Sequence, residues 1–513
     1  MSGDKKLGGT LSKDKPDLEP TISVDVGEIS HHGDLHRIFT PRQVHVISLG
    51  CNIGSGLFIG TGKALANGGP GNMILAYLTV CIGVWAHLQT LAEMTIAFPT
   101  SGNYIDYADR WVDPALAFGA GWTTVFASEG TFFVVLVNYW SQGAVPEAAL
   151  LSIFVVICLV VFLMPNTCFA WLQYFGSLVK VFLFIFNTTI SLAIIGSAGS
   201  TGSIKDGSTW TDLPVFKNGF GDYASAALLA IWAIDDQIYI GVLGGEAKSP
   251  RYSMAHAANV VPWRVSVFYM ISVVFVSVIA PSSDSRLLGG SGVAASPFVI
   301  AVSDAGIKGV PDLINACMII GILAIALECI YLPSRILRTM ALQKLIPSFI
   351  ADVDDTGRPR WALLITSGWS RNGLEVLNWF IAITSASFFI NWAIVAFTSF
   401  RFRAAKSFLW PLTPAVALVI STLLLICLLY AAIKPLGNTG FTAYNFFSNI
   451  IGILVIGVPT LLYKVVLRTS WRNPATADLV TGRRQLSEEE ICLMDKHYAR
   501  PLWRRIGTYV KLW

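Results

Sequence analysis

Charge is what this chain has least of: Asp, Glu, Lys and Arg make up 13% of its 513 residues, against about a quarter in an ordinary soluble domain. With 54% hydrophobic residues and a mean hydropathy of +0.60, water is excluded as its main solvent. Clustered cysteines are missing too. The eight present are scattered without a Cys-x-x-Cys spacing, which excludes a thiolate metal centre and a disulfide framework and leaves small buried hydrophobes. A net charge of +4, spread over loops and tails, gives no basic patch, so nucleic acid is not an expected partner. No nucleophile and base recur in a recognised motif, so no enzyme activity, metal or cofactor is expected. The first 43 residues are polar, carry Lys5, Lys6, Lys13 and Lys15, and lack the apolar core of a secretory signal. The first span therefore has to direct insertion.

What the chain does have is apolar runs of about 20 residues, the length a helix needs to cross the hydrocarbon core. They predict spans at 44–66, 72–95, 114–138, 148–165, 173–197, 222–243, 262–281, 312–333, 361–370, 377–399, 409–433 and 442–463. Lipid offers backbone groups no partner, so the spans are helices and the fold class is an all-α integral membrane protein of about twelve segments. Tails occupy 1–43 and 464–513. With both tails in the cytoplasm, 27 of the 36 Lys and Arg fall inside and six outside, which satisfies the positive-inside rule. The ninth segment, Trp361 to Ser370, gives only about 15 Å of helix against a core of about 30 Å. Either a half-helix re-enters there against protein, or residues are missing relative to a full span.

Span 1 contains Gly50-Cys51-Asn52-Ile53-Gly54-Ser55-Gly56-Leu57-Phe58-Ile59-Gly60-Thr61-Gly62. Glycine at this density weakens helix continuity. A helix broken near mid-membrane presents free N–H groups to an anionic substrate group, whereas small residues four apart equally suit close helix packing. A second interruption, Ile231-Trp232-Ala233-Ile234-Asp235-Asp236-Gln237, lies in span 6. Paired breaks in corresponding halves point to a midplane site between inverted repeats. Two adjacent carboxylates within a span cost about 2.5 kcal/mol or more each, so they should face a cavity, a wet helix end or a partner. Glu129 in span 3, Lys180 in span 5 and Glu328 in span 8 are further ionisable candidates. For Lys180, snorkelling to a rim stands beside a role in ion coupling.

The chain resembles the fungal amino-acid permeases, the yeast amino acid transporter family of the amino acid, polyamine and organocation superfamily, from Leu35 to the end of span 12. The resemblance is carried by Ile53 to Gly62, Glu93 with Phe98-Pro99-Thr100-Ser101-Gly102, and Gly245-Glu246-Ala247-Lys248-Ser249-Pro250-Arg251. It continues in Trp263-Arg264, Ala295-Ser296-Pro297-Phe298-Val299, Ala305-Gly306-Ile307, Ser334-Arg335 and Arg401-Phe402-Arg403. It implies five-plus-five inverted repeats with discontinuous helices 1 and 6, two extra helices, and movement of amino acids with protons. It implies further that backbone around Ile53, Gly54, Ser55 and Gly56 binds the carboxylate and that carbonyls near Ile231 to Asp235 receive the ammonium. Trp232 and Ile234 then border the side-chain pocket, while Lys180, Glu129 and Asp236 are the coupling candidates. The chain departs from the family pattern at Asp236, where the family has glycine, and at Ile238, where it has glutamate. Ala324-Ile325-Ala326-Leu327 replaces a small polar stretch in span 8.

The expected function is proton-coupled amino-acid uptake by alternating access at the plasma membrane, with amino acid, protons and lipid as partners. A basic amino acid or polyamine is the alternative substrate, and a nutrient sensor or non-transporting homologue is the alternative from another class.

Overall fold

The computed structural model describes residues 35–479 apart from 38, 51–52, 55, 124–128, 218, 235–239, 249, 290–291, 356, 369–373, 406–411 and 435–440, with isolated positions beyond 479. Glycine and proline decide where its helices begin, bend and stop. The first helix, α1 (Pro41–Gly50), opens on a proline and ends at the glycine run. A π-helical turn, Gly56–Gly60, leads into α2 (Thr61–Ala97). Within α2 the backbone turns sharply at Gly69, whose φ of +73° is left-handed and suits glycine, and Pro70 starts the second arm. Spans 1 and 2 are thus joined without a loop.

Helices α3 (Asn103–Trp111), α4 (Pro114–Thr123), α5 (Glu129–Ser141), α6 (Glu147–Leu163) and α7 (Asn166–Ile195) follow. Span 6 is described as two arms, α8 (Phe220–Ile234) and α9 (Ile240–Glu246). Then come α10 (Pro250–Ile279), α11 (Pro297–Asp304) and α12 (Val310–Leu342). The last four are α13 (Arg360–Gly368), α14 (Leu374–Ala405), α15 (Leu412–Ile433) and α16 (Ala443–Leu467). Among the described residues there is no strand, only two isolated bridges. Among the described residues seven helices are long and apolar enough to cross a membrane, and Phe132–Ser141, Glu147–Leu163 and Phe220–Ile234 are shorter apolar helices. This is an all-α, multi-span membrane protein. Counting by length alone stops five short of twelve: spans 1 and 2 run together as Gly56–Ala97, spans 3 and 6 are each described as two short helices, span 4 has 17 residues and span 9 has nine.

Burial sorts the helices into centre and rim. The apolar window of α12 is 67% buried and that of α16 only 11%, so α12 runs through the middle while α16 turns Phe447, Leu454, Val458 and Leu461 outward. Such faces suit lipid. Segment α13 has nine residues, about 13 Å of helix, and packs on α12 and α6. By contrast α14 runs for 32 residues, extending beyond the expected 377–399 at both ends.

The first described residues before α1 and residues 464–478 lie on one face, here the tail face. Residues 464–478 lie across α3 and the start of α4: Lys464 and Thr469 bond Asp113, Arg472 bonds Asp109, and Trp111 donates to the Asp478 carbonyl. On the opposite face Lys217 Nζ donates to the Ala66 and Ser282 carbonyls at 2.8 and 2.9 Å, satisfying a helix end beside the Gly69 bend. Arg286 there grips Asp284 and Asp304 through paired bonds, and these bonds raise the basicity of its guanidinium.

Candidate functional site

After α1 ends, the backbone bends at Ile53 and Gly54, with the Ile53 N–H on the Gly50 carbonyl at 3.2 Å. The Leu57 N–H then reaches the Gly54 carbonyl at 3.1 Å and the π-helical turn begins. Single π turns inside helices recur at functional sites. Span 1 is therefore broken where its glycines predict.

Two of those glycines are needed for close approach. A Cβ on Gly56 would stand 2.5 Å from Ala233 Cα, so the last turn of α8 lies directly against the break. A Cβ on Gly54 would meet the Ile325 side chain of α12 at 2.6 Å. Ile53, Ile231 and Ile234 are buried around this contact. Trp232 is half-buried, stacks on Phe132 with centroids 5.7 Å apart, and covers Gly60. The described part of α8 stops here, and the Ala233 carbonyl accepts the Tyr269 hydroxyl of α10. Glycine breadth in span 1 thus lets three elements, the break, α8 and α12, converge.

Lys180 lies in the interior. Its side chain is 2% exposed, and its ammonium donates to the Gly50 carbonyl at 3.0 Å. Its methylenes cross Gly321 of α12, while Ser177, one turn earlier on α7, abuts Gly50. A fixed cation consequently sits on the last carbonyl of α1, where the helix dipole is negative. Glu328 of α12 is buried, one turn beyond Ile325. Glu129 opens α5, but its side chain lies outside the described residues, as do Ser55, Asp235 and Asp236 altogether.

A second constellation lies on the tail-face side of this site. Glu246, the last residue of α9, accepts Arg335 Nε at 2.8 Å and the Tyr331 hydroxyl at 2.6 Å. The Arg335 guanidinium lies 3.4 Å over the Tyr331 ring. Phe39, just before α1, donates its N–H to the Glu246 carbonyl and accepts from the Lys248 N–H, so the chain entering span 1 is laced to the chain leaving span 6. Phe169 of α7 stacks on Tyr331 at 4.1 Å and meets Phe39 edge-on. Sequence reading lists Glu246 and Arg335 in separate motifs and misses their contact. The signal available was that each is charged at the end of an apolar run.

Membrane-length helices, one broken at glycines and packed there against the end of another described in two arms, are the architecture of a membrane transporter. The chain belongs to the amino acid permease family, whose model matches residues 43–473. Amino-acid permease GAP3 of Candida albicans is 27% identical over 96% of this chain and 87% of its own. S-adenosylmethionine permease GAP4 of the same organism is 28% identical, covering 93% of this chain and 82% of its own. Cationic amino acid transporter 1 of Schizosaccharomyces pombe is 28% identical over 89% and 83%.

Proposed function

We propose that this protein carries an amino acid across a fungal plasma membrane together with protons, by alternating access around the breaks in spans 1 and 6. The observation that carries the reading is the contact of Gly56 with Ala233, which brings the span 1 break against the end of α8. N–H groups of Gly54, Ser55 and Gly56 receive the substrate carboxylate. Carbonyls at the end of α8, with Asp235 or Asp236, receive the ammonium, and Trp232 with Phe132 bounds the side chain. In this reading the helices form two inverted repeats of five with two added, flanked by cytoplasmic tails. The interleaved Phe39, Glu246, Tyr331 and Arg335 hold the cytoplasmic side shut, and their separation opens it.

Lys180 supports proton coupling because an interior ammonium on the Gly50 carbonyl stabilises the broken end of α1, and its deprotonation would release that end. Uptake into vesicles reconstituted with the protein, with and without an inward proton gradient, tests the reading. Gradient-stimulated accumulation of an amino acid is expected; accumulation no greater than in empty vesicles at every pH refutes it.

A cationic substrate is the second reading, favoured by the adjacent Asp235 and Asp236. Paired carboxylates favour added positive charge. Competition decides between them: lysine or a polyamine outcompeting neutral amino acids supports it, and the reverse order rules it out.

A further inference from the structure

Helix α7 carries a polar stripe along its inner face, of which the proposed site uses one residue. Gln173, Ser177, Lys180, Asn187 and Ser191 follow one another at steps of four, three, seven and four residues, which gathers them within one quadrant of the helix. None is more than 2% exposed. From Gln173 to Ser191 the stripe covers about 27 Å, against a hydrocarbon core of about 30 Å. The outer face holds Phe175, Phe182, Ile185 and Leu192, each more than half exposed. Buried polar side chains in a file inside a span mark ion or proton paths.

Three members of the stripe bond to backbone. Gln173 donates to the Ala324 carbonyl of α12, Lys180 to the Gly50 carbonyl, and Ser191 to the Asn187 carbonyl at 2.7 Å. The Asn187 side chain differs: neither its amide nitrogen nor its amide oxygen has a hydrogen-bond partner among the described residues. An amide left unpaired in an apolar interior costs about 1–3 kcal/mol on mutational scales, and leucine would pack there without that penalty. Hydroxyls lie nearby. Ser191 is one turn further along α7, and Ser296, which opens α11 against α7, is buried with its hydroxyl also unpaired. Ser272 of α10 is buried one turn beyond Phe268, which stacks on Phe184 with centroids 4.2 Å apart, so it stands level with Asn187. A buried water makes about three hydrogen bonds, and the Asn187 amide supplies a donor and an acceptor to begin them.

We propose that Asn187 holds a water that hands protons from the opposite face to Lys180, an inference that rests on the proton-coupled reading above. Asn187 lies about 10 Å beyond Lys180, and Ser191 brings the stripe to about one turn from the end of α7. A lysine stem reaches about 6 Å, so an amine released from the Gly50 carbonyl meets the Asn187 water without a helix parting from its neighbour. There the lone pair of the neutral amine takes a proton from the water, and the water is reprotonated from the opposite face past Ser191. Toward the tail face the stripe is latched by the bond of Gln173 to Ala324. Protons thus enter from one side while the other is closed, as coupling requires. Titratable groups on the elements packed along α7 include Glu328 and Cys317 of α12, His45 of α1 held by Arg264 of α10, Tyr269 of α10, Asp304 of α11 in the grip of Arg286, and Cys158 of α6. Glu328 shares a face of α12 with Gly321, seven residues toward the tail face, and so stands on the other side of Lys180 from Asn187.

The test uses the purified full-length protein in lipid nanodiscs and in vesicles. Brief X-ray radiolysis in isotope-labelled water turns a bound water into a hydroxyl radical that oxidises the nearest aromatic ring. The peptide carrying Phe184 is expected to take up the isotope in the parent and to lose that label in Asn187→Leu. In vesicles Asn187→Leu is expected to lower gradient-driven accumulation by about tenfold or more. Equal-pH exchange of labelled for unlabelled amino acid, which turns over no proton, is expected to stay at the parent rate. Asn187→Ser, which readmits water, is expected to restore accumulation, and monodispersity in detergent checks that both variants fold. An unlabelled Phe184 peptide in the parent overturns the proposal whatever the uptake assay gives. Accumulation that is unchanged in a folded Asn187→Leu protein, that falls in step with exchange, or that Asn187→Ser fails to restore overturns it as well. If the parent protein moves no amino acid, the functional reading fails and the proton route with it, while the labelling alone decides the water site.

Discussion

Arg335 Nε lies 2.8 Å from Glu246 Oε1 with both side chains cut off from solvent, joining the end of span 8 to the exit of span 6. Removing one member of such a pair leaves an uncompensated buried charge, at a cost of about 3–5 kcal/mol. Glu246→Gln or Arg335→Met alone should therefore lower the melting temperature in detergent sharply. The double variant should recover part of the loss, and a thermal double-mutant cycle reads the coupling. Strictly additive losses would mean that the pair does not act as a unit.

Gly56→Ala tests the contact on which the site is built. Its new methyl would stand 2.5 Å from Ala233 Cα, a backbone atom that cannot swing aside. The break and the end of α8 must separate, and uptake should fall by about tenfold to a hundredfold, as displacements near 1 Å do at reacting centres. Size-exclusion chromatography should show the variant still folded. Wild-type uptake in Gly56→Ala would remove this contact from the mechanism.

Lys180→Met removes the ammonium from the Gly50 carbonyl while keeping the methylenes that cross Gly321. A hydrogen bond from a charged group is worth about 1.5–3 kcal/mol, so the melting temperature should drop. Initial uptake rates measured against external pH should flatten. A retained pH profile would assign Lys180 a purely structural part.

The segment after span 12 forms a strap over α3. At Asp113 burial works to raise the carboxyl, and the bonds from Lys464, the Ala115 N–H and Thr469 outweigh it, holding it below the ordinary 3.8. A carboxyl depressed by folding adds stability that is fully present above its ordinary value and is lost as pH falls through the lower folded one. The strap should thus stay docked from about pH 5 to 7. Asp113→Asn should loosen it at all these pH values, seen as faster proteolysis near Arg468 and Arg472. Equal cleavage rates in the two proteins would contradict this assignment.

The legible parts of the sequence were those where one residue type changes the backbone itself. Glycines at 54 and 56 announce a break because no neighbour can restore helix continuity there, and Pro41, Pro70 and Pro297 mark helix starts. Lys180 was visible as a charge, but its depth was not. Helix α7 begins at Asn166 and not at 173, which puts Lys180 about 21 Å along it, too deep to snorkel. The pairing of Glu246 with Arg335 spans 89 residues and depends on how α9 meets α12, which no local pattern encodes.

The central claim is that the transported amino acid rests on the span 1 break. Its most direct test is protection of a single cysteine at the break, Ser55→Cys with all eight native cysteines replaced by serine, from a membrane-permeant thiol reagent during uptake by the reconstituted protein. The account predicts that the transported amino acid slows modification, with half-protection at the concentration giving half-maximal uptake. Modification at an unchanged rate under saturating substrate, in protein that still transports, would contradict it.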